Sequence, residues 1–178
     1  MQASEKRRAL DESMGIDDDD EDTQANKYLC FRIGKESYGI GIKHLIEIIE
    51  LQHMSMIPDL PDYVKGVINL RGKMIPIIDL RLRFRLEERD YDDRTCIVIT
   101  EIDAVLIGFI VDTVEEVIEI PESQVSPAPK FKGQGDHDQY ISGLGKVGEA
   151  VKILLDIEKV VQDQAVRELA TASEAAAK

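Results

Sequence analysis

The sequence predicts a mainly β fold built from two similar lobes, with few and short helices. Its apolar residues fall in short runs rich in Val and Ile, and these runs end at Gly, Pro, Asn or Asp. Evenly spaced short strands of this kind are typical of sandwiches and small barrels. The chain also resembles itself when it is shifted so that Gly39 lies on Gly108, which we call the first shift. A self-match on that scale predicts two copies of one β unit.

The predicted strands can be read in chain order from the apolar runs. They are KYLCFRI, ESYGIGI, IEIIEL, GVINL, MIPIIDL, TCIVITEI, AVLIGFIV, VIEI and AVKILLDI. Pro76 lies inside MIPIIDL and cannot donate a ladder hydrogen bond, which predicts an edge strand or a bulge there. A helical turn is predicted near 43–47, and short helices are predicted in PDYVKG, in DLRLRF and from about residue 157.

Polar residues support the repeat as well as apolar ones. Without a gap, the first shift aligns a glycine, two glutamates and a proline: Gly39 with Gly108, Glu47 with Glu116, Glu50 with Glu119, and Pro58 with Pro127. After a longer loop, MIPIIDL aligns with VKILLDI, with Asp79 on Asp156, which we call the second shift. We expect one lobe at about 27–90 and another at about 91–161, with exchange of strands between them allowed. Each lobe is small for a stable domain, so the two should pack as a pair.

The two ends of the chain differ from this β body in composition. Residues 1–26 hold nine acids and three bases and include IDDDDED, which predicts a disordered acidic leader. Residues 162–178 are rich in alanine and predict a helix-prone tail. Because no apolar signal segment and no apolar stretch of about 18 residues is visible, we expect a cytoplasmic protein without membrane insertion. No receiver domain is expected after the last predicted strand.

The composition argues against nucleic-acid binding and against secretion. The net charge of −13 repels a phosphate backbone, and the lack of Trp with only 5% aromatic residues disfavours base stacking. Cys30 and Cys96 lie inside apolar runs, as buried free cysteines do, and do not suggest a disulfide framework. A reducing compartment is therefore expected.

The sequence carries no convincing motif for catalysis or cofactor binding. GLGKVG at 143–148 fits the glycine pattern of dinucleotide-binding loops, but a predicted strand follows it instead of a helix, which favours a glycine-rich hairpin. The three histidines, His44, His53 and His137, show no zinc-ligand spacing. No nucleophile elbow, P-loop or cysteine with an adjacent base is visible. We therefore expect no enzyme activity, no metal and no cofactor.

The segment GVINLRGKMIPIIDL, residues 66–80, predicts a tight hairpin with Arg71 at its tip. Gly72 suits the turn because glycine adopts positive φ without a steric penalty. The turn does not require a guanidinium, so Arg71 is either a solvated turn residue or a binding residue. Glu47, in LIEIIE, is likewise either an outward-facing strand residue or part of a binding surface.

These segments resemble the CheW family of bacterial chemotaxis coupling proteins. The resemblance covers about 27–161 and rests on YGIGIKHLIEII, VKGVINLRGKMIPIIDLRLRF, GFIVDTVEEVIEI, SPAP and YISGLG. It implies two SH3-like five-stranded β barrels and a non-catalytic adaptor. Such an adaptor joins the cytoplasmic tips of methyl-accepting chemoreceptors to the histidine kinase CheA in arrays at the membrane. The regulatory domain of that kinase has the same double barrel, so adaptor and kinase can pair through equivalent surfaces.

The resemblance also assigns the residues that contact partners. The family's arginine matches Arg71, its glutamate Glu47, its apolar groove position Leu45 and its turn glycine Gly66, and the setting of the arginine matches Asn69, Leu70 and Gly72. Gly41 departs from the family, which often has an acid there. Two other functions stay open. One is an adaptor of a parallel pathway such as surface motility, and the other is a barrel that binds a small ligand or an oligosaccharide.

Overall fold

The structure is a computed structural model that describes residues 24–128, 140–162 and 164–176. Its strands are β1 (Lys27–Ile33), β2 (Glu36–Gly41), β3 (Leu45–Glu50), β4 (Val64–Leu70), β5 (Lys73–Asp79), β6 (Cys96–Ile102), β7 (Val105–Val111), β8 (Thr113–Glu119), β9 (Val125–Pro127), β10 (Ile141–Val147) and β11 (Ala150–Leu155). The helices are α1 (Leu80–Arg83), α2 (Ile157–Val160) and α3 (Gln164–Ala176), and 3-10 turns lie at Ile42–His44 and Glu122–Gln124. The predicted acidic leader lies almost entirely outside the described residues, whereas α3 lies within the predicted helix-prone tail.

The strands form two sheets, which confirms the mainly β, two-lobe prediction. The six-stranded sheet has the order β8-β1-β2-β11-β10-β9, and the five-stranded sheet has the order β3-β6-β7-β5-β4. Neighbouring strands are antiparallel except for β2 with β11 and β5 with β7. The extra strand in the first sheet is the three-residue β9, whose counterpart in the other sheet is a single bridge between Ser55 and Val67.

Each sheet combines strands from both halves of the repeat. The first shift places β1, β2 and β3 on β6, β7 and β8, and the second shift places β5 on β11. The two sheets do not coincide with the two repeats. Strands β1 and β2 of the first repeat pair into the sheet that holds β8 to β11, and β6 and β7 of the second repeat pair into the sheet that holds β3 to β5. Because the exchange is reciprocal, neither half of the sequence completes a sheet alone.

The main apolar core is shared by the two sheets. It takes equivalent residues from both halves of the repeat: Leu29 and Val98, Ile40 and Phe109, Ile78 and Leu155, Leu80 and Ile157, and Tyr63 and Tyr140. Asp79 and Asp156 cap α1 and α2 with their carboxylates. The backbone N–H of each of these aspartates donates to the carbonyl of Tyr63 or Tyr140 at 2.8 Å. Matched parts of the two halves therefore close around one core, which gives the small lobes their joint stability.

The prediction that Pro76 lies in an edge strand or at a bulge of its own strand is wrong. β5 lies inside its sheet, so Pro76 is not in an edge strand. Pro76 pairs with Val67 on one side, and pairing with β7 on the other side begins only at Ile77. Its missing N–H therefore removes no ladder bond. The register shift next to it lies in the partner strand β4, between Val64 and Gly66.

Two other segments show how tertiary contacts decide local structure. PDYVKG is not helical, contrary to the prediction: Val64 N donates to the Pro61 carbonyl at 3.0 Å, and β4 begins at that residue. Pairing with β5 outweighs the local preference of this segment. GLGKVG belongs to the β10–β11 hairpin, as predicted, and a Cβ on Gly145 would lie 2.8 Å from Ile120 Cδ1. Glycine at this position leaves room for the Ile120 side chain against the hairpin.

Cys30 provides a test of the folded state at alkaline pH. Its side chain is fully buried, and burial raises the pKa of the thiol to about 11. The thiol of the unfolded chain ionises at lower pH, so the free energy of unfolding should fall as pH rises from about 8.5 to 11. The expected loss from this group is about 2–3 kcal/mol. Urea unfolding of wild type and Cys30→Ala across this range measures the difference, and parallel curves would contradict the prediction.

Candidate partner-binding surface

The β4–β5 hairpin ends in a two-residue turn whose geometry explains its sequence. Leu70 pairs with Lys73, and the two turn residues, Arg71 and Gly72, have positive φ angles of 53° and 84°. Positive φ at both turn positions is the type I′ geometry that matches the twist of the strands. Asn69 Oδ1 accepts a hydrogen bond from Gly72 N at 3.0 Å and holds the turn. Arg71 therefore adopts a left-handed conformation, in which Asn and Gly are usual and Arg is not.

The repeat supplies an internal comparison for Arg71. Under the second shift, the equivalent residue in the β10–β11 hairpin is Gly148, which has φ of 60°. Glu149, the equivalent of Gly72, does not have positive φ, so the two turns differ in type. A two-residue turn therefore forms at the equivalent place without an arginine, and the fold does not require one at this position. A side chain that is unfavourable for the backbone and unnecessary for the fold is a candidate for binding.

Arg71 forms an ion pair with Glu47, so the structure brings together two residues that the sequence placed in the site. Arg71 Nη2 donates to Glu47 Oε1. The arginine side chain remains 68% exposed, and that of Glu47 is 28% exposed. An ion pair with this exposure adds about 0–1 kcal/mol to stability. Its main effect is to favour one direction of the guanidinium at the protein surface.

Glu47 is positioned by a bulge in β3. Leu45 pairs with Thr100 and Glu47 pairs with the adjacent Ile99, so Ile46 is an extra residue in this edge strand. Bulges change the direction of neighbouring side chains and are frequent beside functional sites. β3 and β4 lie at opposite ends of the five-stranded order, so the contact between Glu47 and the hairpin tip shows that the sheet curls back on itself.

The other predicted site residues have different surroundings. Leu45 is partly buried against the shared core, and Leu70 is partly buried against the core of the five-stranded sheet. Gly66 lies at the bulge of β4, where a Cβ would be 2.3 Å from the carbonyl oxygen of Ser55. The structure therefore groups Arg71, Glu47 and the turn at the exposed surface, and it gives Gly66 a role in holding the strand behind them.

Exposed apolar side chains lie on the strands that carry the ion pair, and the sequence interpretation missed them. Ile46 and Ile48, which flank Glu47 in β3, are 49% and 41% exposed, and Met74, the register partner of Asn69, is 36% exposed. LIEIIE suggests a mostly buried strand because four of its six residues are apolar. The sequence did hold one sign that β3 is an edge strand with exposed side chains. Glu47 and Glu50 are charged, and charged side chains are frequent on edge strands.

The chemical composition of the site is typical of a surface that contacts another protein. It combines a guanidinium, a carboxylate and apolar side chains, which is the composition of a protein contact surface. Within the described ranges, no group of three or more His, Cys, Asp or Glu residues is arranged to hold a metal ion. In the same ranges, no helix has the length and hydropathy needed to span a bilayer.

Comparison with known families identifies the relatives of this double barrel. The model of the family described as the CheW-like domain matches residues 27–165. The chain belongs to the CheW family. The chemotaxis protein CheW of Klebsiella aerogenes is 37% identical over 143 residues, which cover 80% of this chain and 86% of that protein. The chemotaxis protein CheW of Treponema pallidum is 35% identical over 147 residues, which cover 80% and 85%.

A solved structure of the CheW family supports the same assignment. The crystal structure of the scaffolding protein TtCheW from Thermoanaerobacter tengcongensis matches with a TM-score of 0.72 and 32% identity. The match covers 78% of this chain and 94% of that chain. The resemblance to the CheW family that the sequence motifs indicated is thereby confirmed. The roles of Arg71, Glu47 and Leu45 in partner contacts stay predictions.

Replacing Arg71 by glycine separates its role in folding from its role in binding. Arg71→Gly removes the left-handed strain and the exposed ion pair together, so the free energy of unfolding should change by less than about 1 kcal/mol. Urea unfolding of wild type, Arg71→Gly and Arg71→Asn measures this, with asparagine as a second residue that tolerates the turn. A loss of more than about 2 kcal/mol in both variants would make Arg71 a structural residue.

Proposed function

We propose that this chain is a non-catalytic adaptor that couples the cytoplasmic tips of methyl-accepting chemoreceptors to the histidine kinase CheA. It works in the cytoplasm and is recruited to receptor arrays at the membrane. The observation that carries the proposal is the exposed ion pair of Arg71 and Glu47 at the hairpin tip. The names of the relatives support the role, since two are chemotaxis proteins and the solved neighbour is a scaffolding protein.

Arg71 is suited to bind a helical receptor tip. A guanidinium presents five N–H donors in a fixed fork, and here one of them is used by Glu47. The exposed donors can bind a carboxylate or backbone carbonyls of the receptor while Glu47 keeps the fork in place. Because the ion pair already favours one direction of the arginine, less side-chain freedom is lost when the receptor binds.

Exposed apolar side chains on the strands that flank the ion pair extend the contact surface. Ile46, Ile48 and Met74 are partly exposed in the free protein. Their burial against a helix removes apolar surface from water and adds to the binding free energy.

The adaptor passes a signal through differences in binding free energy. A scaffold changes the activity of the kinase only if it binds the two signalling states of the receptor–kinase assembly with different affinities. The regulatory domain of CheA is the expected kinase partner, because it has the same double-barrel architecture. Arg71 serves the receptor side of the assembly, so kinase binding alone should depend on it less.

Co-sedimentation tests the proposal directly. The full chain is mixed with receptor-tip fragments, with the kinase, and with both, and the pelleted fraction is measured. We expect binding to each partner alone and a ternary complex with both. Binding only to receptors of a surface-motility system would assign the chain to a parallel pathway. Absence of receptor binding, together with a thermal shift caused by an oligosaccharide, would replace the adaptor by a ligand-binding barrel.

A further inference from the structure

From here on, each lobe means one sheet with the side chains packed on it, the five-stranded lobe or the six-stranded lobe. The two lobes have different buried residues at equivalent positions. In the five-stranded sheet, six buried isoleucines form one cluster, the isoleucine cluster: Ile68, Ile75, Ile77, Ile97, Ile99 and Ile110. The second shift gives Gly145, Lys152 and Leu154 in the six-stranded sheet as the equivalents of Ile68, Ile75 and Ile77. The first shift gives Tyr28, Cys30 and Gly41 as the equivalents of Ile97, Ile99 and Ile110. The register supports this equivalence, because Ile77 and Leu154 each pair with a glycine, Gly108 or Gly39, on a parallel strand. The second set contains one aliphatic side chain where the first has six.

Lys152 puts a charge where the other lobe has the fully buried Ile75. Lys152 Nζ donates to Ser37 Oγ at 3.0 Å and lies 3.7 Å from Glu115 Oε1, and Ser37 also donates to Glu115. The side chain of Lys152 is 10% exposed and that of Glu115 is 25% exposed. The cost of removing such charges from water offsets much of their attraction. This network therefore stabilises its lobe less than the packing of an isoleucine does.

Smaller side chains remove further apolar contacts from the six-stranded lobe. Gly145 takes the place of Ile68, and Ile120 fills part of the space, because its Cδ1 lies 2.8 Å from the position that a Cβ of residue 145 would take. Cys30 is fully buried in the place of Ile99, which has a larger side chain. Fewer buried apolar contacts lower the free energy that is needed to open a region locally.

We infer that the six-stranded lobe is the compliant half of the molecule, and that its β10–β11 hairpin opens locally while the five-stranded lobe stays closed. The compliant lobe can adjust its surface to a bound partner. The Arg71 hairpin, in contrast, rests on the isoleucine cluster and keeps its shape. This inference depends on the packing of the two lobes and stands independently of which partners the adaptor binds.

Native-state hydrogen exchange of the full chain compares the two hairpins directly. The amides of Ile75 and Ile77 in β5 and of Lys152 and Leu154 in β11 lie at equivalent positions of the two antiparallel ladders. After correction for intrinsic rates, we expect protection factors at least tenfold lower for the β11 amides than for the β5 amides. Equal protection in the two hairpins, or higher protection in β11, would overturn the inference. This comparison uses the wild-type protein and needs no variant.

Lys152→Met then tests the cause. Methionine keeps the unbranched shape of lysine and removes the charge, so exchange of the β11 amides should slow by about five- to tenfold while exchange in β5 changes by less than twofold. Lys146→Met is the matched control, because Lys146 is exposed on the neighbouring β10 strand, and it should leave both hairpins unchanged. Faster exchange in β11 of Lys152→Met, or equal slowing in both hairpins, would contradict the proposed cause.

Discussion

Arg71→Glu is expected to abolish coupling between receptor and kinase while leaving the circular dichroism spectrum and melting curve nearly unchanged. The substitution removes the exposed guanidinium and places a carboxylate beside Glu47. If the receptor contact excludes water, the loss of its charged donor should weaken receptor binding by about 2–5 kcal/mol. Co-sedimentation with receptor-tip fragments measures this loss, and the same assay with the kinase alone should show a smaller change.

Two controls separate a direct contact from a structural effect. Lys73→Glu makes the same change in charge at the base of the same turn, where Lys73 pairs with Leu70, and it should be milder. The double exchange Arg71→Glu with Glu47→Arg restores an internal ion pair with reversed direction. If the double exchange restores coupling, the pair acts through the shape of the turn. If coupling stays lost, the partner requires the two side chains at their own positions, as a direct contact with this pair does. Normal coupling by the single variant Arg71→Glu would reject the site.

Gly66→Ala should produce the largest loss of stability among substitutions in the predicted site. The φ angle of Gly66 is 147°, and a Cβ there would lie 2.3 Å from the Ser55 carbonyl oxygen and 3.0 Å from its carbon. These atoms are backbone atoms held by the Ser55–Val67 bridge, so they cannot move aside without breaking it. We expect the free energy of unfolding to fall by about 3 kcal/mol or more.

Gly72→Ala is the matched control for this effect. Gly72 also has positive φ, at 84°, but nothing lies within 4 Å of the position that its Cβ would take. Alanine at Gly72 should therefore cost only the conformational term, about 1 kcal/mol. Urea unfolding of the two variants gives both values. Equal losses would show that the backbone conformation, and not the contact with Ser55, makes glycine necessary at position 66.

The sequence allowed the lobes and most strands to be predicted, because their signals are local. Val- and Ile-rich runs mark strands wherever they pair, and the first shift aligns β1 with β6 within the bounds that the structure gives. The pairing partners were not predictable in the same way. A self-match shows that two segments are alike, and it does not say that β1 pairs with β8 instead of β3.

The candidate site was predictable in its residues and not in its geometry. The motif around Arg71 pointed to the hairpin tip, but the left-handed φ of the arginine could not be read, because GVINLRGK suggests positive φ only at the glycine. The contact between Arg71 and Glu47 depends on the curl of the sheet and on the bulge at Ile46. Both are three-dimensional consequences of packing that leave no pattern in a single sequence.

The exchange of strands sets the order in which the chain can fold during its synthesis. The first hairpin, β1 with β2, leaves the ribosome early. Its outer partners are β8 and β11, so the pairs Lys27–Glu119 and Gly39–Leu154 cannot form until those later strands have been made. The five-stranded sheet is complete once β7 has emerged, at Val111. The strands of the sheet that carries Arg71 can therefore all pair first, and the early hairpin stays without its sheet until nearly the whole β body has been made.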